Sequence, residues 1–337
     1  MRQPQRILVT GAGGFIGHHL VKSLKKQGHW VRGVDLKYPE FATTDADEFL
    51  YLDLRDCGNG LIATRDVDQV YALAADMGGM GYISAHNALI LHDNALINLN
   101  TLDAARQNGI KRYLFTSSAC VYPEFKQSSS AVAPLKERDA YPAQPQDAYG
   151  WEKLITERLC THYREDYGIE TRIVRLHNIF GPLCTWDGGR EKAPAAMCRK
   201  VAVAKLTKQS YIEIWGDGEQ TRSFCYIDDC IDGLSLLMES GYRQPLNLGQ
   251  DRLVTINQLA DIVCEVAGVR LGRRQVPGPQ GVRGRNSDNT MLREVLNWTP
   301  RVSLEEGMAR TYAWIEEQVR QQMVGTPAVA HKRVESA

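Results

Sequence analysis

Tyr149 and Lys153 form a Tyr-x-x-x-Lys pair near the start of a helix predicted over residues 147–167. Side chains four residues apart on a helix lie one above the other. Because a nearby ammonium favours the phenolate, we expect Lys153 to lower the pKa of Tyr149 from its ordinary value of ~10. Tyr149 would then act as a base or an acid on an alcohol and its ketone. The pair by itself is a weak signal, since Tyr and Lys fall four apart on many helices by chance.

Ser118 offers a hydroxyl upstream of that helix. It belongs to the run Thr116-Ser117-Ser118-Ala119-Cys120, at the end of the predicted fifth strand. In folds built on a parallel sheet, ligands bind beyond the carboxyl ends of the strands. We therefore expect Ser118 to share the oxygen on which Tyr149 acts.

A glycine-rich run, Gly-Ala-Gly-Gly-Phe-Ile-Gly at residues 11–17, follows a strand predicted over residues 6–10 and opens a helix. In the pattern G-x-x-G-x-x-G, Gly11 permits a tight turn, Gly14 lets the backbone approach a pyrophosphate and Gly17 lets helix and strand pack closely. The helix N-terminus adds free N–H groups and partial positive charge. We predict a dinucleotide cradle formed by Gly11, Gly14, Phe15, Ile16 and Gly17. The alternative is a tight turn that binds nothing.

Two carboxylates further along the chain fit the rest of a dinucleotide. Asp35 ends the predicted second strand, where a ribose-binding carboxylate belongs. It favours NAD over NADP, because a carboxylate repels a 2′-phosphate. Asp53 follows the predicted third strand and is a candidate for the adenine amino group, with a surface turn carboxylate as an equal alternative.

The elements that position these side chains follow from the hydrophobic pattern. Apolar runs predict strands at residues 6–10, 29–35, 48–52, 67–73, 112–117 and 171–176, and helical patterns lie at residues 88–107 and 147–167. Strands that alternate with helices imply parallel crossovers. We predict an α/β fold with a Rossmann-type doubly wound parallel sheet.

The pattern changes after residue 178 to that of a smaller C-terminal α/β substrate domain. Strands are predicted at residues 211–215 and 221–227, and helices at 256–266, 290–296 and 304–321. We expect an NAD-binding domain over residues 1–178, to which later segments return, and a nucleotide-sugar domain over residues 179–322. Residues 323–337 have no periodicity and are expected to be disordered.

The composition excludes several classes of protein. Lys plus Arg and Asp plus Glu both total 40 in 337 residues, and the net charge of +0 gives no field that would attract nucleic acid. No apolar run approaches the ~18 residues of a membrane span. The eight cysteines form no Cys-x-x-Cys pair, the eight histidines lack metal-ligand spacing, and no signal peptide precedes Ile7. We expect a cytoplasmic protein with no structural metal, no nucleic-acid partner and no membrane contact.

The glycine run, Ser118 and the Tyr149–Lys153 pair, in this order, resemble the extended short-chain dehydrogenase/reductase superfamily. Six stretches narrow the resemblance to the family of GDP-mannose 3,5-epimerases, over residues 7 to about 318: residues 74–81, 117–124, 145–150, 188–196, 215–224 and 281–289. The resemblance implies tightly bound NAD, GDP-mannose as the substrate and a homodimer.

The resemblance also implies a reaction. Tyr149 takes the C4 hydroxyl proton of the hexose while NAD accepts the hydride, and Lys153 and Ser118 support the charge. The resulting 4-ketone acidifies the hydrogens at C3 and C5, and Cys120 and Lys192 match the pair that inverts these carbons. Return of the hydride gives GDP-L-galactose or, where only C5 inverts, GDP-L-gulose. Without the resemblance, Cys120 is more simply a packing residue and Lys192 a solvated loop lysine.

The resemblance implies a set of residues that hold the nucleotide sugar. They are Gly78, Ser118, Asn178, Glu191, Lys192, Lys200, Gln220 and Arg285. An arginine is the expected clamp for the diphosphate because its fork is bidentate. Arg283 could do the same work as Arg285, and Arg222 stays open between a ligand contact and a structural ion pair.

Two other functions stay open. One is a different NAD-dependent 4-epimerase or modifier of a nucleotide sugar. The other is an NAD-sensing module that has kept the fold without the chemistry, against which the intact Ser118, Tyr149 and Lys153 speak.

Overall fold

The computed structural model describes residues 3–325. Its strands are β1 (Arg6–Thr10), β2 (Trp30–Asp35), β3 (Glu48–Tyr51), β4 (Gln69–Ala72), β5 (Arg112–Ser118), β6 (Glu170–Leu176), β7 (Ile179–Phe180), β8 (Tyr211–Trp215), β9 (Thr221–Arg222), β10 (Cys225–Tyr226), β11 (Pro245–Leu248), β12 (Val254–Thr255), β13 (Gly272–Val276) and β14 (Gly284–Arg285). Its helices are α1 (Phe15–Lys26), α2 (Cys57–Thr64), α3 (Met80–Ala85), α4 (Asn87–Gln107), α5 (Ala148–Tyr167), α6 (Ala193–Thr207), α7 (Ile227–Glu239), α8 (Ile256–Ala267), α9 (Thr290–Leu296) and α10 (Leu304–Val324).

The larger sheet has seven strands in the order β11-β6-β5-β4-β1-β2-β3, and every neighbouring pair is parallel. Ile7, Leu8 and Val9 of β1 are at most 1% exposed, because helices cover both faces of the sheet. Ile7 and Val9 pack with α1 and α7, whereas Leu8 packs with α2, α4 and α5. The predicted doubly wound parallel sheet is confirmed.

A second, smaller lobe contains mixed helices and short strands. Helices α6, α8 and α10 pack against one another, and the parallel pair β8 and β13 lies beside α6. Two further small sheets, β12-β9-β14 and β10-β7, connect this lobe to the loops that follow β6. The lobe has the α/β character that the sequence predicts.

Strand β11 lies beside β6 at one edge of the larger sheet, although it comes from a later part of the chain. Its Asn247 ties this edge to loops around the site: Asn247 Oδ1 accepts a hydrogen bond from the Tyr122 hydroxyl at 2.6 Å and contacts His177 Nε2 at 3.0 Å. Asn247 Nδ2 donates to the Leu135 carbonyl oxygen at 2.8 Å. The return of β11 therefore supports the segment that follows β5.

Two predictions about the second half of the chain are wrong. The strand predicted over residues 221–227 divides into β9 and β10, which belong to different sheets, and Ile227 instead begins α7. Asp228 and Asp229 lie in the first turn of α7, where carboxylates suit the partial positive charge of a helix N-terminus. Residues 323 and 324, predicted to be disordered, belong to α10, which ends at a left-handed glycine cap. The rest of the predicted tail, residues 326–337, lies outside the described residues.

Within residues 3–325, no helix is long and apolar enough to cross a membrane. The same part of the chain contains no group of three or more His, Cys, Asp or Glu side chains that could hold a metal ion. All eight cysteines are free thiols.

Candidate active site

Helix α5 presents Tyr149 and Lys153 near the carboxyl end of β5. Asp147 caps the helix, because its Oδ1 accepts a hydrogen bond from the Gly150 N–H at 2.8 Å. Tyr149 is 7% exposed and Lys153 2%. Lys153 Nζ lies 5.4 Å from the centroid of the Tyr149 ring and 4.8 Å from that of Phe115. The structure therefore brings the two predicted side chains together in a buried setting.

The pKa of Tyr149 lies well above its ordinary value, which corrects the expectation that Lys153 lowers it. Burial is the main cause, since it disfavours the charged phenolate, and the nearby Cys120 and Glu152 act in the same direction. A hydrogen bond with the Ser118 side chain acts in the opposite direction. The charge of Lys153 is offset by the Glu152 carboxylate, whose Oε2 lies 3.8 Å from Lys153 Nζ.

Glu152 is a buried carboxylate that sequence reasoning misses. Asn98 Nδ2 donates to its Oε1 at 2.5 Å, and the Thr156 hydroxyl donates to the same oxygen at 3.0 Å. Its Oε2 has no hydrogen-bond partner among the described residues. No local pattern indicates this contact, because Asn98 and Glu152 lie 54 positions apart.

Cys120 lies two residues beyond the end of β5, in a short 3-10 turn. Its N–H donates to Ser118 Oγ at 3.1 Å, which holds the turn against the strand end. Gly150 of α5 packs directly on this turn, since a Cβ atom there would lie 2.2 Å from the Cys120 carbonyl oxygen. The close approach of the two backbones places Tyr149 and Cys120 in one site.

The sulfur of Cys120 faces an arginine. Arg285 Nη1 lies 3.3 Å from Cys120 Sγ, and Arg285 Nε donates to Gln127 Oε1 at 2.6 Å. Gln127 is fully buried, and its own Nε2 donates to the Tyr122 carbonyl oxygen at 3.0 Å. Arg285, predicted as the diphosphate clamp, is therefore aimed at the Cys120 side chain. Sequence reasoning misses Gln127, for which no motif gives a signal.

Lys192 is the N-cap residue of α6, in the second lobe. Part of its surface is exposed to solvent, yet the surrounding protein desolvates the ammonium enough to lower its pKa. Cys120, Cys184 and Cys230 act in the opposite direction. Lys192 therefore lies within electrostatic range of Cys120. Cys120 is supported by the sheet and Lys192 by α6, and their joint action as proton carriers stays a prediction.

The glycine-rich run forms a cradle at the N-terminus of α1. Gly11 has φ +71°, and a Cβ atom there would lie 2.9 Å from the Ala74 backbone nitrogen. A Cβ atom on Gly17 would lie 2.1 Å from the Gly11 carbonyl oxygen, and one on Gly13 would lie 1.9 Å from the Lys37 carbonyl oxygen. The pattern G-x-x-G-x-x-G assigns no role to Gly13. Glycine is nevertheless required there, because any Cβ atom would clash with the Lys37 backbone.

The start of α1 is open to a ligand. Gly14 is its N-cap residue and supplies no side-chain cap, while Phe15 and Ile16 begin the helix as partly buried residues packed on the core. Backbone N–H groups at such a helix end suit a pyrophosphate. The predicted cradle therefore fits NAD.

Asp35 lies beside this cradle and Asp53 takes part in an ion pair. Asp35 Oδ2 accepts a hydrogen bond from the Gly13 N–H at 2.9 Å, and burial raises the pKa of its carboxyl. Arg55 Nη2 contacts Asp53 Oδ2 at 2.6 Å, and Arg55 Nη1 contacts Asp93 at 2.7 Å. The contact of Asp53 with adenine stays a prediction.

The three candidate arginines differ in their surroundings. Arg283 is an exposed partner of Asp217, with contacts of 2.8 and 2.9 Å. Arg222 donates to the carbonyl oxygens of Val282 and Thr221 rather than to any carboxylate among the described residues. Burial and the nearby Arg285 lower the pKa of Arg222 to about 9. Among these three arginines, only Arg285 is both buried and in direct contact with a predicted catalytic side chain, that of Cys120.

The remaining predicted substrate residues lie in α6 and the loops of the second lobe, or in loops of the first lobe. Lys200 Nζ donates to the Glu213 carbonyl oxygen at 2.8 Å, and Glu191 Oε1 accepts from Arg199 at 2.8 Å. Asn178 Nδ2 donates to the Ser223 carbonyl oxygen at 2.8 Å, and a Cβ atom on Gly78 would lie 3.0 Å from the Tyr82 Cβ. Gln220 is buried, and its Oε1 has no hydrogen-bond partner among residues 3–325. Their contacts with a nucleotide sugar stay predictions.

The chain is similar to known nucleotide-sugar enzymes. The model of the NAD dependent epimerase/dehydratase family matches residues 7–249. GDP-mannose 3,5-epimerase of Arabidopsis thaliana is 51% identical over 319 residues, which cover 94% of this chain and 84% of the relative. The structure of UDP-glucose 4-epimerase from Thermotoga maritima superimposes with a TM-score of 0.81 at 27% identity, covering 93% of this chain and 99% of that one. UDP-glucuronic acid 4-epimerase from Bacillus cereus, solved with UDP-glucuronic acid and NAD, gives a TM-score of 0.77 at 25% identity, with 93% and 99% covered.

Proposed function

The chain belongs to the NAD dependent epimerase/dehydratase family, and from that membership we propose that it inverts GDP-mannose at C3 and C5 to give GDP-L-galactose. The Arabidopsis relative, with 51% identity over most of both chains, carries the name of that activity. The observation that carries the proposal is that Cys120 packs beside Tyr149 and that Lys192 lies within electrostatic range of Cys120. An enzyme that acts at C4 alone needs no second pair of proton carriers, whereas inversion at C3 and C5 does.

The glycine cradle would hold the pyrophosphate of NAD and Asp35 its ribose, and NAD would supply hydride acceptance and return at C4 of the sugar. Tyr149 removes the proton of the C4 hydroxyl, and Ser118 hydrogen-bonds the same oxygen. Lys153 holds positive charge beneath the Tyr149 ring, where it stabilises the phenolate as that charge develops. The high pKa of Tyr149 makes the phenolate a strong base once formed, and it keeps the tyrosine protonated after the first step, so that a proton is available for the C4 oxygen when C4 is reduced again.

Cys120 and Lys192 exchange protons at C3 and C5 of the 4-keto sugar. The carbonyl at C4 makes both hydrogens acidic, and inversion needs removal from one face and return on the other. Cys120 is supported by the sheet and Lys192 by α6, so the two groups approach the sugar from different elements. Arg285 donates toward Cys120 Sγ at 3.3 Å, which stabilises negative charge on the sulfur. The lowered pKa of Lys192 brings its amine closer to the proton-transfer range.

The nucleotide part is held by the second lobe. Arg285, Lys200 and Gln220 supply the charge and hydrogen bonds for the diphosphate and sugar, together with Asn178, Glu191 and Gly78. Lys200 and Arg285 place local positive charge in a chain whose net charge is +0, which an anionic diphosphate requires. GDP-L-gulose is expected as a second product wherever only C5 inverts.

Incubation with GDP-mannose in deuterated water tests this function. A 3,5-epimerase incorporates deuterium at C3 and C5 of the product, as NMR would show. A 4-epimerase, the activity named for the Thermotoga neighbour, would place no deuterium on carbon. An NAD-sensing module would leave GDP-mannose unchanged, and either of these outcomes would refute the proposal.

We further propose a homodimer in the cytoplasm. The support for the dimer is an apolar face on the paired helices α4 and α5, where Leu99, Trp151 and Ile155 are 45%, 41% and 60% exposed. The support for a reducing compartment is the set of eight free thiols. Light scattering on the wild type and on Ile155→Glu checks the dimer: the variant should have half the mass, and equal masses would exclude this face.

A further inference from the structure

The loop that leads to Lys192 begins at two glycines with positive φ and open space around their Cβ positions. Gly188 and Gly189 have φ values of +87° and +85°, and no atom lies within 4 Å of the position of a Cβ on either. Glycine crosses to such conformations at little cost. No side chain packs on these two residues, so the direction of the chain toward Lys192 depends on hydrogen bonds, such as the one from the Gly189 N–H to Glu191 Oε2 at 2.7 Å, and on the residues that follow.

Arg190 is the first residue of this loop that docks on the opposite lobe. Its guanidinium lies 3.8 Å from the centroid of the Tyr82 ring, and its Nη1 lies 3.0 Å from Asp76 Oδ1. The Gly79 N–H donates to the Arg190 carbonyl oxygen at 3.1 Å. Arg190 is thus held by three contacts: a cation–ring contact, an ion pair and a backbone hydrogen bond.

The surface that receives Arg190 is itself fixed. The Tyr82 hydroxyl donates to Asp76 Oδ2 at 2.8 Å, so one carboxylate orients both the ring and the guanidinium. The backbone of Asp76 is bound on both sides by the buried Asn94, with N···O distances of 2.6 and 3.0 Å. Asp76 therefore presents a fixed acceptor to Arg190.

The contact extends to the residue next to Lys192. A Cβ atom on Gly79 would lie 2.6 Å from the Glu191 carbonyl oxygen, so only glycine lets the two backbones approach this closely. Lys192 follows immediately and is the N-cap residue of α6. The docking of Arg190 and Glu191 thus determines where the Lys192 side chain starts.

We propose that Arg190 is a positioning residue that, by docking on Asp76 and Tyr82, aligns Lys192 with Cys120 for proton transfer at carbon. This role rests on the proposed function. Because Arg190 is 49% exposed, its ion pair alone is weak, and the ring contact and the backbone hydrogen bond with Gly79 add to it. The three contacts join the two lobes at the site.

The Arg190→Met variant tests the role, because Met keeps the length of the side chain and removes its charge. We expect deuterium incorporation at C3 and C5 to fall about 10- to 100-fold, the loss typical of a displacement of about 1 Å at a reacting group. Oxidation at C4, followed as reduced-nicotinamide absorbance on addition of GDP-mannose, should fall less than about 3-fold, because Tyr149 lies on the other lobe. KM should change less than kcat.

Arg310→Met is the matched control. Arg310 is 47% exposed, pairs with Asp228 and lies 5.4 Å from the Tyr226 ring, the same combination of contacts away from the site. It should leave exchange at carbon and oxidation at C4 unchanged. Asp76→Asn should reproduce part of the Arg190→Met defect, and combining the two changes should add little to Arg190→Met alone, since both break one contact.

Equal loss of exchange and of C4 oxidation in Arg190→Met would overturn the role, because it would indicate general damage to the site. Undiminished exchange would overturn it too. If the wild type itself placed no deuterium on carbon, the proposed function would fail, and the role of Arg190 would fail with it. If the wild type and Arg190→Met were labelled to the same extent, only the role of Arg190 would be refuted.

Discussion

Replacing Glu157 with Gln should destabilise the protein by about 3–5 kcal/mol, because it leaves the buried guanidinium of Arg175 without a counter-charge. The two side chains are 3% and 2% exposed. Arg175 Nε and Nη2 donate to the two carboxylate oxygens at 2.8 and 2.7 Å, and the Ser117 hydroxyl donates to Oε1 at 2.5 Å. The pair joins α5 to β6, and the Ser117 hydrogen bond ties it to the end of β5, one residue before Ser118.

The magnitude follows from burial. An exposed ion pair contributes about 0–1 kcal/mol, whereas removing one partner of a buried pair costs the desolvation of the other. The double variant Glu157→Leu/Arg175→Met removes both charges and should be more stable than Glu157→Gln alone. It should still fall below the wild type, because the Ser117 hydroxyl and the Glu137 carbonyl oxygen, which accepts from Arg175 Nη1 at 2.6 Å, lose partners worth about 1–3 kcal/mol each.

Urea unfolding of the three proteins measures these differences. Glu306→Gln is the control, because Glu306 forms an exposed pair with Arg310 one turn along α10 and should contribute less than about 0.5 kcal/mol. A loss below about 1 kcal/mol in Glu157→Gln would refute the reasoning, as would a double variant less stable than the single one.

The remaining predictions concern the reaction, the cofactor and pH. Cys120→Ala should retain C4 oxidation but lose deuterium incorporation, while Tyr149→Phe should show no reduced-nicotinamide absorbance on addition of substrate; normal product from either variant would remove that residue from the mechanism. Asp35→Asn should bind NAD more weakly by titration calorimetry with little change in the urea midpoint, and unchanged affinity would exclude the ribose contact. Burial lowers the pKa of His177 to about 3, so its contribution to stability is complete above its unfolded pKa of 6.5 and is lost as pH falls toward 3, up to roughly 5 kcal/mol. Urea midpoints between pH 7 and 4 should therefore fall more steeply for the wild type than for His177→Gln, and parallel slopes would contradict this.

The sheet could be predicted from the sequence because its signals are local. Each of the first six strands has an apolar core of neighbouring residues, and β1 and β8 have the predicted bounds. Strand β11 could not be found in the same way. Its four residues pair with β6, but the chain between these two strands passes through the second lobe, so no local pattern indicates the pairing. The division of residues 221–227 into two strands likewise depends on partners distant in the chain.

The side chains of the site could be named from motifs, but not their electrostatics. The Tyr149–Lys153 spacing correctly implies that the two are neighbours, yet the sign of the pKa shift depends on burial and on Glu152, which no motif includes. Arg285 could be chosen over Arg283 only by resemblance, and the structure adds a physical reason: Gln127 holds it against Cys120. Long-range contacts of this kind are set by the tertiary fold.

The late position of β11 has a consequence for synthesis on the ribosome. Until Pro245–Leu248 has been made, the outer edge of β6 has no partner strand, although the other six strands are already complete. At a synthesis rate of roughly 5–20 residues per second, the outer edge of β6 stays unpaired for about 3–14 s while the residues between β6 and β11 are made. An unpaired parallel edge is a template for pairing with another chain. Nascent chains truncated before residue 245 should therefore self-associate more readily than those truncated after residue 325. The order of the segments in the chain thus creates a period during synthesis in which association is favoured, and this period ends when β11 pairs with β6.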